Sequence, residues 1–233
     1  MDNNLNICVL SFATGNIWSW AASVFKNNKE YCEKHGYKWS GHYGLKDPNR
    51  PTNWSKIAYI LDEMKNGYDW IFWIDADAMI MNHKIKVEDL IDNDYDFAVS
   101  HSPCGWCTGT WFINNNNYSK ELLEYTYSKE DFINHSSGIQ VDAAFANAVY
   151  EKGARIIVHD QKKMNSLPPF RFFNKRNEFR DFTVEAGVFK HSATRKSFEE
   201  NSFEKGDFVL HAAGLNNLGR ETVFRKHKEY IIK

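Results

Sequence analysis

Hydrophobic residues along this chain fall into two kinds of segment. Short, mostly apolar runs lie at 5–10, 69–74, 97–100, 110–113, 155–159 and 208–212, and each predicts a strand, as does the mixed, aromatic stretch at 37–43. Between them come longer segments in which apolar positions recur at helical spacing. The helix predicted over 17–35 is stopped by Gly36, and in the helix over 54–66 Ile57, Ile60, Leu61 and Met64 share a face before Gly67. Further helices are predicted over 118–127, behind a run of four asparagines that reads as a turn and cap, and over 138–152. Residues 87–91 form a short helix or turn, 46–53 and 101–109 read as loops, and 160–181 is irregular. Strands alternating with helices predict an α/β fold, with a mostly parallel central sheet flanked by helices, and 1–233 as one domain.

The stretch at 69–82, DWIFWIDADAMIMN, carries the most chemistry. Its strand has almost no polarity, as expected for a parallel strand covered on both faces. It runs directly into Asp75 and Asp77, at the strand end where open α/β folds place their ligands. Carboxylates in apolar surroundings are costly unless paired or metal-bound. Paired carboxylate oxygens suit a hard divalent cation such as Mn²⁺ or Mg²⁺ and, through it, a diphosphate. The plain alternative is a solvated turn that ends the strand. The run 206–214, GDFVLHAAG, repeats the arrangement: an apolar strand ends in His211, with small residues and Gly214 behind it. An imidazole joining two carboxylates shifts the expected ion from Mg²⁺ toward Mn²⁺.

Charge narrows the field. The formal net charge of −1 excludes the strongly basic character of most nucleic-acid binders, and no nucleic-acid partner is expected. The locally basic end, with Arg220, Arg225, Lys226, His227 and Lys228, reads as a solvated terminal helix, or alternatively as a contact for an anionic surface or phosphate. No run of apolar residues is long enough to span a membrane. Aromatic residues make up 15% of the chain, and the 8 Trp, 11 Tyr and 17 Phe supply both a wide sheet core and surfaces for stacking. Cys104 and Cys107 have C-x-x-C spacing, but no second pair completes a zinc site, and they read as structural or incidental thiols. Asn53, Asn117 and Asn134 open N-x-S triplets that read as chance matches.

Taken together, WSKIAYI (54–60), YDWIFWIDADAMIMN (68–82), GTWFINN (109–115) followed by Tyr118-Ser119, the acidic helix start at Gln140-Val141-Asp142, and FVLHAAG (208–214) resemble the galactosyl/xylosyl transferase family that includes plant xyloglucan xylosyltransferases and yeast Golgi galactosyl- and mannosyltransferases. The resemblance implies a GT-A fold and transfer of a hexose or pentose from a UDP-sugar to a glycan acceptor, with retention of configuration. It implies Mn²⁺ (or Mg²⁺) held by Asp75, Asp77 and His211. It places the uridine at the first strand end, implicating Ser11, Ala13 and Thr14, and puts Lys56 and Asp75 near the nucleotide or sugar. It assigns Gly214 to a close backbone approach to the phosphates.

The chain departs from the family pattern at the helix start, where Gln140, Val141, Asp142 and Ala143 replace an acid followed directly by Gln. Asp142 keeps the acid position and, with Gln140, is the expected catalytic pair. A carboxylate there can stabilise an oxocarbenium-like anomeric carbon or, in an inverting enzyme, act as base. A noncatalytic sugar-nucleotide or glycan-binding module stays open as the reading from a different class. Trp106, Trp111, His135 and 169–173 are candidate acceptor contacts, and the 101–109 loop is a candidate lid. The family's membrane anchor is not found ahead of the first strand, which leads us to expect a cytoplasmic or otherwise soluble protein of bacterial or viral type.

Overall fold

The computed structural model describes residues 5–134, 139–172 and 181–233. The chain runs β1 (Ile7–Ala13), α1 (Trp18–His35), β2 (Lys38–Tyr43), α2 (Ser55–Glu63), β3 (Trp70–Ile74), β4 (Ala78–Ile80), β5 (Phe97–Ser102), β6 (Gly105–Asn114), α3 (Asn117–Tyr127), α4 (Gln140–Lys152), β7 (Ile156–His159), α5 (Gln161–Met164), β8 (Phe182–Ala186), β9 (Phe189–Ala193), α6 (Arg195–Glu200), β10 (Val209–His211) and α7 (Asn217–His227). Six strands form the main sheet in the order β2-β1-β3-β6-β5-β7. Within it β6 alone runs antiparallel to its neighbours; the other pairings are parallel. This is the α/β architecture that the alternation predicts.

β3 lies at the centre, and all five of its residues are buried. Ile71 and Trp73 pack with Trp111, Phe97 and Phe145 in the core beneath α2, α3 and α4. Trp70, Phe72 and Ile74 pack on the opposite face with Tyr31, Phe112 and Phe208. Apolar cover on both faces is why this strand shows a continuous hydrophobic run rather than alternation.

β4 and β10 form a separate antiparallel pair beyond the end of β3, with Ala78 opposite His211. The other edge of β4 is closed by side chains of α1. Asn28 accepts from Ile80 N at 2.9 Å and donates to Ala78 O at 3.0 Å, while Asn27 donates to Ile80 O at 2.7 Å. These two buried asparagines satisfy backbone groups that a short edge strand would otherwise leave unpaired.

The structure revises four local expectations. The segment 101–109 is a β-hairpin rather than a loop, because Ser102 pairs with Gly105 across Pro103-Cys104, and Gly105 takes a φ of 106° that suits glycine. A lid made of this segment would have to break strand pairing to move. The segment 78–80 is a strand of its own. The irregular stretch contains the short helix α5, and the following residues form the β8–β9 hairpin. Trp111 is core, fully buried and packed on Phe97 and Phe145, and it does not reach a cleft. His135 and Phe173, also candidate acceptor contacts, lie outside the described residues, as do two of the three residues of the Asn134 triplet.

Candidate active site

Asp75 to Ala78 forms a turn closed by Ala78 N donating to Asp75 O at 2.9 Å. The turn links β3 to β4. Ala212 N donates to Asp77 O at 2.7 Å, and with the Ala78–His211 register this brings His211 beside the two aspartates. One ligand atom from each of Asp75, Asp77 and His211 lies within 4.8 Å of the others. The imidazole Nε2 is 3.2 Å from Asp77 Oδ1 and 4.0 Å from Asp75 Oδ2.

Each of the three side chains is held from behind. Trp73 Nε1 donates to Asp75 Oδ1 at 2.7 Å, so an indole fixed in the core fixes the carboxylate. Lys56 Nζ is 3.1 Å from Asp75 Oδ1 and also donates to Thr108 O at 3.0 Å. Arg220 Nε donates to Asp77 Oδ2 at 2.8 Å. His211 Nδ1 faces Asn165 Oδ1 at 2.8 Å. An amide oxygen can only accept, so Nδ1 carries a proton and Nε2 is the atom aimed at the carboxylates. Burial alone would lower the pKa of His211, but the Asp77 carboxylate outweighs it and holds the imidazole well above its ordinary value. Burial works to raise Asp77, yet His211 and Arg220 hold it well below the usual carboxylate range.

This donor set fits a hard or borderline divalent cation. Two carboxylates and one oriented imidazole converge here, and the imidazole Nε2 gives up its proton when it ligates a cation. The backbone makes room for the cluster at Gly109, which accepts from Asp75 N at 2.7 Å. A Cβ at this position would lie 2.2 Å from His211 Cε1 and 3.1 Å from Asp75 Oδ2.

The cluster separates two cavities. The larger, of about 500 Å³, is lined by Trp106 and Cys107 of the hairpin, Asp142 of α4, Gln161 and Asn165 around α5, and Ala213 and Gly214 after β10. The smaller, of about 220 Å³, lies between the end of β1 and the start of α1, against Phe12, Thr14, Ile17 and Trp20. Asn53, Lys56, Asp75, Asp77 and Arg220 line both.

In the larger cavity, Asp142 Oδ1 accepts from Thr108 N at 2.5 Å and from Thr108 Oγ1 at 2.9 Å. Burial raises the Asp142 pKa, partly offset by the charge of Lys56. For Lys56, burial acts to lower the pKa, and Asp75 and Asp142 more than restore it, so the ammonium stays charged. Gly214 has a φ of 75° and lines the larger cavity. Gln140, expected beside Asp142 in the catalytic pair, is the first residue of α4 and lines neither cavity. Of the residues expected at the uridine, Thr14 lines the smaller cavity, whereas Ser11 and Ala13 are fully buried in β1. Cys104 and Cys107 are free thiols on the cavity wall, and burial pushes Cys104 up to about 11.

Several site residues escape a reading of the sequence alone. Asn53, Thr108, Gln161 and Asn165 follow no motif, and their roles come from tertiary placement. Arg220 did carry a signal, as the first residue of the basic end, and it faces the acidic cluster rather than solvent.

Comparison with known proteins agrees with this architecture. Residues 6–95 match the galactosyl transferase GMA12/MNN10 family. An alpha-1,2-galactosyltransferase of Schizosaccharomyces pombe is 24% identical over 84% of this chain, and the chain spans just over half (56%) of that relative's length. An uncharacterized alpha-1,2-galactosyltransferase of the same yeast is 32% identical over 30% of this chain and 20% of its own. Among solved structures, a glycosyltransferase involved in the glycosylation of the major capsid of PBCV-1 superposes with a TM-score of 0.66 over 95% of this chain and 99% of its own, at 16% identity. Among the described residues, no helix is long and apolar enough to cross a membrane. The chain thus has the GT-A glycosyltransferase fold and is a relative of the yeast alpha-1,2-galactosyltransferases.

Proposed function

We propose that this chain is one catalytic domain that transfers a hexose or pentose from a UDP-sugar to a glycan hydroxyl, dependent on Mn²⁺ or Mg²⁺. The observation that carries this reading is the convergence of Asp75, Asp77 and His211 between two cavities that share a wall. In this reading the smaller cavity takes the nucleoside and the larger one the sugar with its acceptor. The relatives' activity as galactosyltransferases and the viral structure's part in capsid glycosylation support the class of reaction.

A divalent ion held by the cluster supplies Lewis-acid stabilisation of the departing diphosphate. Lys56 and Arg220 add two fixed positive charges along the wall that both cavities share. Asp142, locked by Thr108, presents a preorganised negative charge to the cation that develops at the anomeric carbon. The acceptor hydroxyl then attacks from the leaving-group side, the leaving phosphate oxygen takes its proton, and configuration is retained. The raised pKa of Asp142 favours a second reading, in which it serves as base on the opposite face and inverts the centre.

The test is nucleotide release from UDP-galactose, UDP-glucose, UDP-xylose, UDP-rhamnose and GDP-mannose, each with Mn²⁺ or with chelator. Turnover of one donor with Mn²⁺, abolished by chelator and by Asp75→Asn or Asp77→Asn, is the expected result. Proton NMR of the product then assigns retention or inversion. Tight Mn²⁺–UDP binding with no turnover of any donor, with or without acceptors, would favour a binding module. Absence of nucleotide binding would overturn the reading.

A further inference from the structure

Gln161 is only 3% exposed, and neither its Oε1 nor its Nε2 has a hydrogen-bond partner among the described residues. Leaving a buried polar group unpaired costs about 1–3 kcal/mol, so such a group calls for an explanation. Ser11 Oγ, Ser100 Oγ and Thr110 Oγ1, in the same condition, line neither of the two cavities, and Asn53 Oδ1, on a less buried residue, lies on the wall that both share. Gln161 lines the larger one. Its backbone is tied to the metal cluster through one turn of chain: Asn165 N donates to Gln161 O at 2.7 Å, and Asn165 Oδ1 holds His211 Nδ1 at 2.8 Å. The amide is therefore carried on the same short segment that orients the ligand histidine. Leu167 and Phe198 on the same wall are apolar and can offer a ligand no hydrogen bond through their side chains.

We propose that Gln161 is a specificity-determining residue that reads a hydroxyl of the sugar bound beside the metal cluster. The inference rests on the nucleotide-sugar reading above. A carboxamide offers two donors and one acceptor, and a sugar hydroxyl both accepts and donates, so one amide can satisfy one hydroxyl or two adjacent ones. A site built to pair a substrate hydroxyl rejects an analogue without it, because its own polar group is then stranded. The hydroxyl can belong to the donor sugar or to the acceptor, and the two sources separate in kinetics.

The experiment compares the full chain with Gln161→Met, which keeps the volume and removes the amide. Three readings are taken: melting temperature without ligand, Mn²⁺-dependent UDP binding by calorimetry, and kcat/KM with the nucleotide sugar that the panel identifies. The variant is expected to melt at or above the wild-type temperature, because no protein hydrogen bond is lost, and to bind UDP within about twofold of wild type. Its kcat/KM should fall by about tenfold or more. A fall in acceptor-free donor hydrolysis assigns the hydroxyl to the donor, and a rise confined to the acceptor KM assigns it to the acceptor. With the wild-type chain alone, one monodeoxy donor or acceptor should lose a similar factor, and Gln161→Met should no longer make that distinction. Unchanged kcat/KM in the variant, or no monodeoxy substrate discriminated by the wild type, overturns the proposal. A variant that melts lower and loses UDP binding in step marks Gln161 as a packing residue and also overturns it. A wild-type chain that binds no UDP sinks the parent reading and this one together, whereas a working enzyme indifferent to Gln161→Met sinks this one alone.

Discussion

The two cavities on either side of the metal cluster are built in different ways. The smaller is framed by the end of β1, the start of α1, residues 52–56 at the start of α2 and the turn after β3, with Arg220 the contribution from the far end of the chain. The larger is assembled from the β5–β6 hairpin, α4, α5 and the segment after β10. All of that lining but Arg220 lies within the first 77 residues, so changes late in the chain reach this pocket at one position. A pocket drawn from four remote segments can be reshaped by altering any one of them. On the function proposed above, this is a physical reason for the sugar half to be the easier one to change, and Ala143, which departs from the resembled family pattern, lies in the helix that carries Asp142 to the larger cavity.

The comparison makes graded predictions. The largest effect should follow a change in the shared wall. Gly109→Ala places a Cβ 2.2 Å from His211 Cε1, where Asn165 leaves the ring little freedom to yield. Displacing ligands by even an ångström can cost about a hundredfold in rate, so turnover should fall at least that far and Mn²⁺–UDP binding should weaken with it. Calorimetry and steady-state rates read both losses, and wild-type binding in this variant would mean that the cluster does not hold the ion. Next comes a change confined to the larger cavity. Asp142→Asn keeps its shape and should lower kcat by about a hundredfold, leaving UDP affinity intact; an equal loss of UDP binding would place Asp142 on the nucleotide side. The smallest effect should come from Arg220→Gln, which removes a charged hydrogen bond from a partly exposed position. UDP affinity should weaken about fivefold while kcat changes less, and a larger loss in kcat than in affinity would break the division between the halves.

Legibility in the sequence follows the same divide. The β3 strand and the two aspartates could be read because a fully covered strand writes its burial as an unbroken apolar run. The late strand with His211 repeats that signature. The β5–β6 hairpin could not be read from CGWCTG, where small and mixed residues hide the alternation and pairing with β5 sets the register. β4 has only three residues and owes its existence to β10 and to Asn27 and Asn28. The β8–β9 hairpin did leave a trace in the alternation of TVEAGVFKHS around Gly187, which lies at a φ of 61°. Asn165 and Thr108 gave none, because a residue that orients another across a fold is defined by its partner.

The short pairing of β4 with β10 also bears on the order of events during synthesis. Both aspartates emerge with the first third of the chain, but the imidazole that completes their cluster belongs to a strand near the end, and the register of that strand is set against β4. A growing chain on the ribosome therefore carries half a binding site for most of its translation. The site closes only when the last strand docks, a long-range contact of the kind that forms late. On the function proposed above, ion capture and completion of the tertiary structure are thereby joined in one step, and a chain released before that strand is made would keep the acidic turn without the imidazole that completes the cluster.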